Sequence, residues 1–140
     1  MRAEFAALKS RLLSDSVLAG RVEDVVRRSA GGELVRDNYV VLSMSTPAIL
    51  ARRHTQVATS GDAADYTVGV QVVAVDAAGA MLFVERVQDR LLGHRLSVAG
   101  RSCWPLRQLR DVEEGTVRFD RSSGLFYAHV SFGLHTEKAS

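Results

Sequence analysis

A single cysteine, Cys103, stands in the 140-residue chain. One thiol excludes an intramolecular disulfide. With Ser102 and Trp104 beside it and no neighbouring Cys, it starts no metal-binding motif, and a buried structural thiol is the expectation. Lysine is nearly absent: Lys9 and Lys138 are the two, and the rest of the 18 basic residues are arginines. Arginine's planar fork of donors suits interfaces and fixed carboxylate pairs, and the codon bias of a GC-rich genome would produce the same skew. An excess of one charge is missing too. Eighteen basic against 16 acidic residues leave +2, so bulk composition gives no push toward nucleic acid. No apolar run reaches membrane-spanning length. The first segment, Met1–Leu13, is broken by Arg2, Glu4, Lys9 and Arg11 and lacks the continuous apolar core of a signal peptide. The expected setting is a cytoplasm, in which the protein is made or assembles.

What is present points to a folded chain. Hydrophobic residues make up 46% of it, and its length suits a single domain over residues 1–140 able to bury most of its apolar surface. Phe5, Leu8 and Leu12 fall at helical spacing, predicting an amphipathic helix over the first thirteen residues. Ser14-Asp15-Ser16 can cap a short turn, Val17–Ala19, closed by Gly20. Val22–Arg28 reads as a short strand, ended by Ala30-Gly31-Gly32, and Tyr39–Met44 as a clearer one. From Ser45 to Asp65 the pattern fails. Pro47, the cluster Arg52-Arg53-His54 and the soft tract Ala58–Asp62 predict a protruding loop or hairpin arm over about residues 45–65.

A strand–helix–strand unit follows. Tyr66, Val68, Val70, Val72 and Ala74 alternate with Thr67, Gly69 and Gln71. Asp76 can cap a helix over about 77–92, in which Ala80, Phe83, Val84, Val87 and Leu91 form a stripe that should lie across the face of Tyr66–Val75. Gly93 closes it. Arg95–Ala99 and Cys103–Leu109 then read as strand, so the unit ends near Leu109. Val117 and Phe119 mark another strand, and Asp120–Gly124 a hairpin turn. In the returning strand Phe126, Ala128, Val130, Phe132 and Leu134 point one way, with Tyr127, His129, Ser131 and His135 the other. The fold class is α+β: a mixed, mainly antiparallel sheet packed by an N-terminal and a central helix.

Candidate chemistry is sparse. His129 and His135 share a strand face but stand six residues apart, roughly 20 Å, too far for one metal. His54 and His94 lie in or beside loops with no carboxylate pattern. Asp62, Asp65 and the pair Glu113-Glu114 have the look of solvated loop charge, without sign of a cleft that would hold paired carboxylates for acid–base work. Gly31-Gly32 and Gly79 form no phosphate loop, and Ser97, Ser102 and Ser131 lack a nucleophile elbow. No catalytic residue, metal ligand or cofactor motif emerges. Arg52-Arg53-His54 and the spaced set Arg101, Arg107, Arg110 would serve nucleic acid or a charge-complementary protein surface, but no aromatics interleave with them for base stacking.

The order of elements, with the segments Tyr66–Val75 (YTVGVQVVAV), Met81–Gly93 (MLFVERVQDRLLG), Val98–Leu106 (VAGRSCWPL) and Gly124–Thr136 (GLFYAHVSFGLHT), resembles the tail-terminator (minor tail) proteins of long-tailed bacteriophages, actinobacterial-phage members in particular. The similarity runs from about Phe5 to Thr136 and rests on apolar and glycine patterns. It implies a structural virion protein of the tail or neck, assembled in the host cytoplasm. Such a protein forms a homo-oligomeric, typically hexameric, ring that caps the tail tube, stops its polymerisation and offers the surface for joining the head. The implied partners are the tail tube protein, a head-completion or neck protein, and non-specifically the DNA passing through the lumen; no membrane is implied. The expected assembly contacts are Arg52, Arg53 and His54 of the arm, with Arg107 and Arg110. Two alternatives stay open: another neck component (a head-closure or tail-completion adaptor), and a small cellular oligomeric domain binding a ligand in its helix–sheet groove.

Overall fold

Two long β-rich segments, largely alternating in polarity, find each other across the fold. In the computed structural model, which describes residues 2–45, 63–109 and 114–139, β3 (Ala63–Ala74) and β7 (Leu125–Lys138) pair antiparallel, from Ala63 opposite Glu137 to Ala74 opposite Phe126. β2 (Tyr39–Ser45) runs antiparallel along the other edge of β3, and β1 (Val22–Glu23) lies parallel beside the start of β2. The outer edge of β7 carries three short strands in succession: β6 (Arg118–Asp120), β5 (Arg107–Leu109) and β4 (Arg101–Cys103), all antiparallel to it. The result is the expected mixed, mostly antiparallel sheet, of seven strands with two helices among the described residues.

Alternation gives the sheet two unlike faces. One presents Val40 and Leu42, Val68, Val70, Val72 and Ala74, and Ala128, Val130, Phe132 and Leu134, all buried. α1 (Arg2–Leu13) and α2 (Ala77–Leu91) cover it. α2 starts where Asp76, in extended backbone, accepts a hydrogen bond from the Gly79 N–H at 2.6 Å. It buries Ala80, Phe83, Val84, Val87 and Leu91 as predicted, each large apolar side chain contributing about 1.5–3 kcal/mol. Leu92 is the cap, and Gly93, at φ +74, turns the chain away. α2 spans β7 as well as β3, a broader seat than Tyr66–Val75 alone.

Several expectations change. The predicted strand 22–28 is only two residues long, because the chain bends after Glu23 and crosses to the other sheet face. There the Arg27 N–H donates to the Tyr39 hydroxyl at 3.1 Å, and Val26 and Leu34 pack on a small cluster of Tyr39, Val73 and Leu125. No strand forms over 95–99; Val98 makes an isolated bridge to Arg101. The predicted strand 103–109 splits in two, since Pro105 has no N–H to continue a ladder. Trp104 still donates to the His135 carbonyl, but Leu106 turns away to that of His94. β7 inserts between β3 and the strands after α2, so the strand–helix–strand unit is a split one. Of the predicted arm, Ser45 and Ala63–Asp65 are strand residues, and 46–62 lie outside the described residues.

Candidate assembly surface

The second face of the sheet is covered by residues 24–36 at one end and, among the described residues, carries no helix. Reading across the strands away from that cover, its rows are Val41–Gln71–His129, Ser43–Gly69–Ser131–Leu109, Ser45–Thr67–Gly133–Arg107 and Asp65–His135. Apart from Val41 and Leu109, these rows are small, polar and partly basic. An open cavity of about 350 Å³ lies on this face, lined by Gln71, Thr116, Arg118, Tyr127 and His129. The space between α2 and the sheet, where a ligand groove was the alternative expectation, is filled by Phe83, Val84 and Val87.

Two glycines shape the middle rows. A Cβ on Gly69 would meet Ser43 Oγ at 2.8 Å and His129 Cε1 at 3.2 Å. One on Gly133 would meet Arg107 Nε at 2.8 Å and Arg107 Cγ at 3.3 Å. Both glycines are buried because side chains from the next strand fold down over them. Arg107 therefore lies across Gly133, exposed as a residue, and it forms no ion pair among the described residues.

At the far end, His135 sits between two carboxylates. Nδ1 is 2.7 Å from Asp65 Oδ1, its cross-strand neighbour, and Nε2 is 3.1 Å from Glu137 Oε1 on the same strand. Burial pushes the His135 pKa down, but the hydrogen bonds and charges of Asp65 and Glu137 outweigh it and hold the ring above its ordinary value. Trp104 packs edge-on against this ring, centroids 5.0 Å apart, and is still 56% exposed. The two carboxylates occupy different ring nitrogens, so the group is a clamp and not a chelate. Among the described residues no set of His, Cys, Asp and Glu could hold a metal ion.

The predicted contact residues fare unequally. Arg107 is on β5, exposed, on the open face. Arg52, Arg53, His54 and Arg110 lie outside the described residues. Arg101 is committed internally, donating to the Thr136 carbonyl at 3.2 Å and its hydroxyl at 2.7 Å beside the buried Glu4. Cys103 is buried, and burial raises its thiol pKa, as expected of a structural cysteine. Asp15 caps the Val17 turn as expected, its Oδ1 accepting from the Val17 N–H at 2.8 Å, but the sequence did not show that it is buried, 1% exposed, or that Arg90 contacts it through Nε at 3.0 Å with Arg86 at 3.9 Å. Burial pushes the Asp15 pKa up, yet the Arg90 bond and backbone N–H groups of Val17 and Leu18 bring it below the usual carboxylate value. Sequence reading also missed the Trp104–His135 contact, for which a tryptophan beside a proline in a broken strand was the only signal.

No family model matches the chain, and no curated protein does. Among solved structures, a chain described as belonging to the virion of a native gene transfer agent particle has the same fold. The TM-score is 0.73 at 19% identity, over 97% of this chain and 96% of that one. Among the described residues no helix is long and apolar enough to cross a membrane.

Proposed function

We propose that the chain is a structural virion protein and, within that class, a tail terminator. Its copies form a ring, six in number on the family pattern, that caps the completed tail tube, stops further addition of tube subunits and presents the surface to which the head is joined. The observation that carries this reading is the likeness in fold, over 97% of this chain and 96% of that one, to a chain of a gene transfer agent virion. The resemblance of Tyr66–Val75, Met81–Gly93, Val98–Leu106 and Gly124–Thr136 to tail terminators supplies the finer role.

In this reading the work is done by surfaces and is non-enzymatic. Repeated head-to-tail contacts close into a ring when the rotation per subunit is right. The partners are further copies of this chain, the tube protein and a neck protein, with DNA in the lumen meeting charge without sequence readout. Mass measurement after gel filtration, with electron microscopy of the same fraction, tests it. Rings, formed alone or on tube protein, are the expected result. A chain that stays monomeric at high concentration and in the presence of tube protein overturns the terminator role.

A further inference from the structure

On the ring reading each subunit needs two different surfaces that fit each other, and we propose that these are the outer stripe of α2 on one copy and the Trp104–Arg107 edge of the open sheet face on the next. The two surfaces differ in kind. α2 turns Ala80, Phe83, Val84, Val87 and Leu91 into the core, so the opposite side of the helix faces away from the sheet. That side carries Met81, 55% exposed, and Leu92, 52% exposed, with Glu85 and Asp89 exposed between them at helical spacing. Neither acid forms an ion pair among the described residues. The stripe thus offers two acids with no ion-pair partner among the described residues, with an exposed apolar side chain at each end.

The sheet edge supplies the complement. Trp104 offers a flat apolar face and is held by His135. Arg107 is held across Gly133 and offers a guanidinium with no carboxylate partner among the described residues. Both side chains are fixed by their own sheet before any contact is made, which lowers the entropy lost on docking. Trp and Arg are also the residue types that most often dominate binding energy. An acidic helix with apolar ends fits an arginine beside an indole: Asp89 and Glu85 would meet Arg107, and Leu92 or Met81 would cover Trp104.

The geometry makes the contact heterologous. Within one subunit the α2 stripe and Arg107 are separated by the thickness of a helix and a sheet, on opposite sides. One chain cannot satisfy both, and two chains satisfying one pair each leave one surface of each kind free, which continues until the ring closes. A face-to-face dimer would instead set Arg107 against Arg107 or Asp89 against Asp89.

The test uses cysteine pairs in the full chain, with Cys103 left in place because it is buried. The double variant Asp89→Cys/Arg107→Cys, treated with a short bismaleimide, should give a ladder of dimer, trimer and higher species on a denaturing gel. Each single variant should stay monomeric on that gel. In parallel, Arg107→Glu alone and Asp89→Arg alone should each raise the concentration for half-assembly by about tenfold, and the two changes in one chain should restore it. Ring-sized particles that give no ladder overturn this contact and leave the ring reading standing. Single variants that cross-link to dimers as well as the double variant also overturn it, in favour of a face-to-face pair. A monomer under native mass measurement at every concentration, with tube protein present as well as without it, overturns both.

Discussion

Arg107 rests on Gly133. Its Nε and Cγ occupy the space that a side chain at position 133 would need, 2.8 and 3.3 Å from where a Cβ would stand. The backbone there is ordinary strand, so the glycine is required by the arginine above it and not by a left-handed turn. Gly133→Ala should therefore change unfolding free energy by no more than about 1 kcal/mol, since alanine is itself the better strand residue. It should weaken assembly as much as Arg107→Ala does, and the two changes together should cost no more than one. Thermal unfolding and sedimentation of the three variants check this; additive losses in assembly would mean that Gly133 acts without Arg107.

The His135 clamp sets a pH dependence whose sign is fixed. A folded-state pKa raised above the ordinary 6.5 means that the clamp's stabilisation is complete below that value and fades as pH rises through the higher folded value. Wild type should lose stability relative to His135→Gln across that window and match its slope at lower pH. Trp104, the single tryptophan, lies against the ring, so its emission should titrate with the same midpoint. A midpoint below 6.5 would contradict the clamp.

Asp15 ties α1 to α2 from the turn between α1 and β1, contacting Arg90 and accepting from the Val17 N–H at 2.8 Å. Asp15→Ala removes a buried carboxylate, a turn cap and the partner of two arginines. The expected loss is about 2–4 kcal/mol in denaturant unfolding. Because its folded pKa lies below the ordinary 3.8, the contribution is present above that value and is lost as pH falls through the lower folded value. Arg90→Ala should remove most of the same acid-sensitive stability.

For the arm, Arg52→Glu with Arg53→Glu should leave the far-ultraviolet circular dichroism and melting temperature unchanged while weakening assembly. Assembly at the wild-type concentration would remove these arginines from the contact set.

The parts of the fold that were legible share one property: their signal is local and periodic. Asp76 followed by the stripe from Ala80 to Leu91 predicts α2 nearly to the residue, and the alternation in 66–74 and 126–134 predicts the two central strands and their buried faces. What was not legible depends on long-range partners. Arg86 and Arg90 fall outside the apolar stripe, and nothing local points to Asp15, which claims them from 75 residues before Arg90. Val22–Arg28 has strand composition, yet after Glu23 the chain leaves the sheet edge and Val26 packs on the distant cluster of Tyr39, Val73 and Leu125. Nor could chain order reveal that β7 enters between β3 and β4. The candidate surface was legible only at Arg107; its setting on Gly133 and beside Trp104 needed the register of β5 against β7.

The outer edge of β7 has one more consequence. It is tiled by β4, β5 and β6, each three residues long and each arriving from a different loop. Among the described residues, an approaching strand finds only short separate segments on this side and no continuous template. Runaway growth by strand addition is denied there, and stacking has to proceed through faces whose geometry can close. In a protein proposed to end a polymer, the same tiling that seats Arg107 would also keep the terminator from starting a fibre of its own.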